Sequence, residues 1–183
     1  APPELQSRML SHITMRISGN AEPIRSEKLA RLTRHILTPA PGKKITIHGV
    51  LYQFISGQNT WLALRELART KAPMALSEHP QLWDGRFLLP IGNPQETVGP
   101  LGARAQGLAE PLEKAGIPKA AWPTVPAFFR LETPVCVPHI HWGTTSGHNL
   151  RSIHAKLLAG ECGNVDNGYS KFSDGVMADA KYG

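Results

Sequence analysis

Leu82-Trp83-Asp84-Gly85-Arg86-Phe87 is the stretch around which the rest of the chain arranges itself. Asp-Gly is a tight-turn pair, with the glycine supplying a positive φ. Trp83 and Phe87 flank that turn as apolar anchors, and Arg86 carries a planar cation toward a partner. The block marks the point where a sheet-bearing module starts a new strand, and it reads as an architectural turn.

Upstream, Ile45-Thr46-Ile47-His48 alternates and Gly49 interrupts. Val50 to Ile55 forms a second apolar run, Ser56-Gly57-Gln58-Asn59 is a turn, and Thr60 to Glu66 follows as a strand containing Trp61. That period of two is a β-meander signature. Residues 67–82, with Pro73 and Pro80, read as a connecting loop, and Arg86 to Ile91 resumes as a strand with Pro90 at its edge. Leu108 and Leu112 give residues 103–116 helical character, with Pro111 expected at the first position of a short helix. Phe128-Phe129 and Val135-Cys136-Val137 supply further core and a last strand.

Before the meander the period is helical. Leu5, Met9, Ile13 and Ile17 define an amphipathic helix over 4–18, stopped at Gly19-Asn20. A second helix starts near Ser26, read as its N-cap, with Glu27 at the positive end of the dipole. Leu29, Leu32 and Ile36 share one face. Thr38-Pro39-Ala40-Pro41-Gly42 ends this helix as a stiff linker. The expected fold class is α+β: a short N-terminal helical segment, then a small β-rich module with one or two short helices. The expected domains are a helical segment at 1–40, a β-rich domain at 41–145, and a polar tail at 146–183 whose order is left open.

The 183 residues suit one ordinary domain, and the 41% hydrophobic content is enough for a core. No apolar run approaches the roughly 18 residues of a membrane span. With no charged-then-apolar leader, the expectation is a cytoplasmic chain. Cys136 and Cys162 are too few for a disulfide framework and are expected as free thiols.

Charge is unevenly placed. Residues 1–60 hold eight Lys and Arg against three Asp and Glu, residues 61–120 seven against six, and residues 121–183 five against five. Nearly all of the net +6 therefore sits in the first third. Arg25, Lys28, Arg31, Arg34 and His35 project from the second helix away from its apolar face, with Lys43 and Lys44 close behind. Such a cluster can neutralise several phosphates, although a solvated helix face carries the same pattern.

Other chemistry is weaker. His139 and His141 alternate as on one strand, and with His148, His154 or Cys162 they form a candidate zinc set that matches no compact metal spacing. Cys136 lies in an apolar run, where a thiol is usually inert. Glu66 beside Arg65 reads as a charge pair rather than a base. No phosphate-cradling glycine loop is present. No catalytic residue and no metal ligand is assigned, and no cofactor is expected in this chain.

The ordered pattern nevertheless resembles a family. It runs through Ala21-Glu22-Pro23-Ile24-Arg25-Ser26-Glu27-Lys28-Leu29, Ile45-Thr46-Ile47-His48-Gly49-Val50, Leu64-Arg65-Glu66 and Leu82-Trp83-Asp84-Gly85-Arg86-Phe87. It continues through Leu101-Gly102, Pro123-Thr124-Val125-Pro126-Ala127 and Val135-Cys136-Val137-Pro138-His139. Over about residues 4–143 it resembles the C-terminal half of bacterial tRNA(Ile)-lysidine synthase, in its alphaproteobacterial form. The chain departs from that family at Ile47-His48-Gly49, where a Leu-Gly-Gly-like turn is usual, and at Pro138-His139-Ile140-His141-Trp142. The family's Ser-Gly-Gly-x-Asp-Ser signature is absent, and the start at Ala1 within helix-forming sequence sets the expectation of a piece cut from its catalytic domain.

The resemblance implies a parent ligase that uses ATP and Mg to attach lysine to C2 of the wobble cytidine of tRNA(Ile). This part would hold tRNA without doing the chemistry. Implied partners are tRNA and the N-terminal catalytic domain, with no membrane, and a homodimer is left open. The implied contacts are Arg25, Lys28, Arg31, Arg34, His35, Lys43 and Lys44, with Arg65, Arg69 and Arg86 as a lesser group. The competing expectation is a structural or protein-interaction module with no direct RNA contact.

Overall fold

The computed structural model describes residues 2–143, 148, 150–152 and 170–173. Two helices lead, α1 (Pro3–Ser18) and α2 (Ser26–Ile36), before the strands β1 (Lys44–Ile47), β2 (Val50–Ile55) and β3 (Thr60–Arg65). Then come β4 (Met74–Ala75), β5 (Gln81–Trp83), β6 (Phe87–Leu89) and β7 (Glu96–Pro100). A 3₁₀ stretch (Gly102–Leu108), α3 (Ala109–Lys114) and a second 3₁₀ stretch (Lys119–Thr124) precede β8 (Pro126–Arg130), β9 (Thr133–Val137) and β10 (Trp142–Gly143). The last strands are β11 (Arg151–Ser152) and β12 (Ser170–Ser173). The fold is α+β, as the periodicities predict.

Among the described residues three antiparallel sheets form, in the orders β1-β2-β3-β12, β10-β9-β8-β7-β4 and β11-β6-β5. Strand β3 is buried along its whole length. Trp61 and Ala63 pack with Leu10, Ile17, Ile24 and Leu32 of the helical region, while Leu62 and Leu64 pack with Leu112, Trp122 and Phe129 on the other side. Alternation of side chains across the strand puts one set on each face. The second sheet repeats the device, with Phe129 and Val137 facing the β3 side and Phe128 and Cys136 facing Trp83, Phe87 and Leu150. The result is three apolar clusters, the first two sharing β3 and two of them sharing β8 and β9.

Several expectations change. The boundary at 40/41 cuts through one core, because the helix pair and β1–β3 bury a single apolar cluster. Residues 67–82 are not all loop: β4 pairs with β7, and β5 pairs with β6. Pro111 lies at the third residue of α3 rather than the first, still within the turn whose N–H groups have no intrahelical acceptor. Ser26 is the first residue of α2, and Arg25 takes the N-cap position without a side-chain cap. The expected tail at 146–183 falls mostly outside the described residues. Leu150 is nevertheless buried, β11 pairs with β6, and β12 pairs with β3.

The Asp84-Gly85 turn joins these layers. Asp84 has φ +52° and Gly85 φ +67°, and the Arg86 N–H donates to the Trp83 carbonyl at 3.1 Å. Two successive positive φ values close the turn, and with Trp83 paired to Phe87 the hairpin loop is the three residues Asp84 to Arg86. A Cβ on Gly85 would lie 2.0 Å from the Gly19 carbonyl oxygen, so the turn rests directly on the end of α1. There Gly19, at φ +68°, caps α1 by donating to the Met15 carbonyl.

Asp84 is fully enclosed and takes two arginines. Arg65 Nη2 donates to its Oδ1 at 2.8 Å and Arg65 Nε to Oδ2 at 3.1 Å, a bidentate pair. Arg86 Nε donates to Oδ2 at 2.9 Å, and the Lys71 N–H donates to Oδ1 at 3.0 Å. Arg65 Nη1 and Nη2 also donate to the carbonyls of Gly49 and Arg69. Replacing Asp84 by Ala leaves two buried guanidinium groups without their anion. We expect a loss of about 3–5 kcal/mol, read as a lower urea midpoint at unchanged slope.

Candidate nucleic-acid interface

Helix α2 is set by its apolar stripe. Leu32 is completely buried, and Leu29 and Ile36 pack partly against the same core as Ile24. That docking turns Lys28, Arg31 and Arg34 outward, and Arg25 is exposed at the N-cap position. Lys44 is exposed at the start of β1. None of these five has an ion-pair partner among the described residues. Uncompensated cations at three-residue spacing along one helix face make a concentrated positive surface.

Lys43 is placed differently. It is half-buried, and its Nζ donates to the carbonyl of Thr38 and, at 2.7 Å, to Thr38 Oγ1. Thr38 Oγ1 in turn donates to the Arg34 carbonyl at 3.0 Å. Lys43 thus holds the end of α2, where the dipole is negative, and adds charge there. His35 lies half-buried at the edge of the face against Trp61. Burial chiefly, and then the charges of Lys43 and Arg31, push its pKa below the ordinary histidine value.

The lesser group separates. Arg69 is exposed beside Gly49. Arg65 and Arg86 are 7% and 6% exposed and turn inward to Asp84, so they do not join the α2 surface. The reason is the unread partner: Asp84, legible in sequence only as a turn residue, is the anion both arginines close on. Glu66 is not the partner of Arg65.

The histidine set also comes apart. Pro138–Ile140 form a 3₁₀ turn and His141 has φ +50°, so His139 and His141 do not alternate on a strand. The His139 ring meets Phe87 edge-on at 5.6 Å, and His148 Nε2 lies 2.8 Å from Glu96 Oε2. That contact and Arg130 hold the Glu96 carboxyl below its usual range. His154 and Cys162 lie outside the described residues. Among the described residues no three His, Cys, Asp or Glu side chains converge as a metal site. Cys136 is buried, and burial raises its thiol pKa.

Burial, with the charge of Arg86, lowers the His139 pKa to about 4. The folded state therefore prefers the neutral ring, while the unfolded chain takes up a proton near pH 6.5. This contribution to stability is present above that pH and is lost as pH falls from about 6.5 toward 4. Urea unfolding across that window should show falling stability, and His139→Phe should reduce the slope.

No helix among the described residues is long and apolar enough to cross a membrane. Comparison with family models, curated proteins and solved structures finds no match to this chain.

Proposed function

We propose that the chain is the tRNA-binding and positioning part of a tRNA(Ile)-lysidine synthase, the ATP-dependent ligase that attaches lysine to the wobble cytidine of tRNA(Ile). The observation that supports it is the α2 surface: Lys28, Arg31 and Arg34 on a helix anchored in the core, flanked by Arg25 and Lys44, all exposed and without an ion-pair partner among the described residues. Such a surface suits phosphates of an A-form duplex, contacted for position rather than for sequence. The family in this reading comes from the resemblance of the ordered motifs between Ala21 and His139. ATP and Mg belong in this reading to the parent's catalytic domain, since this chain has no phosphate-cradling signature for them. The setting proposed is cytoplasmic.

A second reading has its own support. Leu82 and Leu88 are cross-strand partners on the hairpin and are 49% and 38% exposed. An exposed apolar pair suits a structural or protein-contact module without direct RNA contact, including a homodimer.

Binding to tRNA should weaken as salt rises. Alanine at Lys28, Arg31 and Arg34 together should flatten the slope of log affinity against log salt by roughly two to three, with the melting temperature little changed. Titration of labelled tRNA across a salt series checks this. Binding indifferent to salt, or to the triple substitution, sinks the reading and favours the second.

A further inference from the structure

One side chain of the α2 face is neither a free cation nor a core residue. The His35 and Trp61 ring centroids are 5.5 Å apart, with planes at 56°. Nε2 of His35 and Nε1 of Trp61 are both enclosed and lack a hydrogen-bond partner among the described residues. The indole nitrogen always carries its proton and only donates. Either tautomer leaves the enclosed Nε2 unsatisfied, as a donor or as an acceptor. Nδ1 is the nitrogen outside that enclosure, and only with its proton there can the neutral ring donate to an anion. Arg31 and Lys43 oppose a second proton, in the same direction as burial.

We propose that His35, held by Trp61 as its Nδ1–H tautomer, is an uncharged positioning donor to a phosphate oxygen of the polyanion bound along α2. This rests on the reading of α2 as a phosphate-binding face and adds a distinct role within it. The cations attract at long range and without direction. A neutral N–H fixed by a packed ring acts only at contact and sets where along the helix the phosphate settles.

Two substitutions separate the roles. His35→Phe keeps an aromatic ring against Trp61 but has no donor, and His35→Asn returns an N–H near the Nδ1 position. With tRNA titrated over a salt series, the Phe variant should bind about fivefold more weakly at every salt concentration. Its log–log slope should be unchanged, because a neutral contact releases no counterion. The Asn variant should recover most of the loss. A Phe variant that binds like the original chain overturns the proposal, and so does one whose slope falls by about one, as for a lost cation. Wild-type chain that ignores tRNA at low salt ends the function reading as well. Nitrogen chemical shifts of the free His35 ring test the tautomer separately, and a protonated Nε2 overturns it.

Discussion

One enclosed carboxylate ties the first sheet to the β5–β6 hairpin. Asp84 draws together β3 through Arg65, the hairpin through Arg86, and the chain after β3 through the Lys71 N–H. Arg65 extends the junction to the β1–β2 turn at the Gly49 carbonyl. Two guanidinium groups close on one carboxylate inside the protein, a state that hydrogen bonding makes tolerable. The compensation is geometric: Arg65 is satisfied by two oxygens of Asp84 and two main-chain carbonyls at once.

Around that junction the core is divided into three apolar clusters rather than one centre. Each central strand contributes alternate side chains to two apolar layers, so β3 belongs equally to the helix side and to the α3 side. Anchoring of α2 follows from this. Its apolar stripe is held by Trp61 and its neighbours, which frees the opposite stripe to carry charge without a folding role. The Thr14 hydroxyl and the Tyr52 phenol, 2.6 Å apart, tie α1 to the same sheet, and burial lifts the Tyr52 pKa to about 12.

Periodicity made the helices and the meander legible. The spacing of Leu5, Met9, Ile13 and Ile17 places the first helix within a residue of its observed start, and Gly19 ends it as expected. The turn chemistry of Asp84-Gly85 was equally readable, because both residues tolerate positive φ. The short strands β4 and β5 were not, since two or three residues carry too little alternation to show a period. At the surface, net charge located the basic helix face, but no local pattern could separate Arg31, which is exposed, from Arg65, which is enclosed. That difference depends on an aspartate nineteen positions away. Lys43 likewise looked like one more phosphate contact, whereas a threonine five residues earlier makes it a helix-end brace.

The meeting of Gly19 with Gly85 bears on how the molecule assembles in time. The two hairpin turns at His48-Gly49 and Asp84-Gly85 close between sequence neighbours and can form early. The glycine-to-glycine contact joins the end of the first helix to a turn far along the chain, and it has no room for a single methyl group. A contact of that sequence separation carries a loop-closure cost that the local turns do not, and contacts of this kind slow folding.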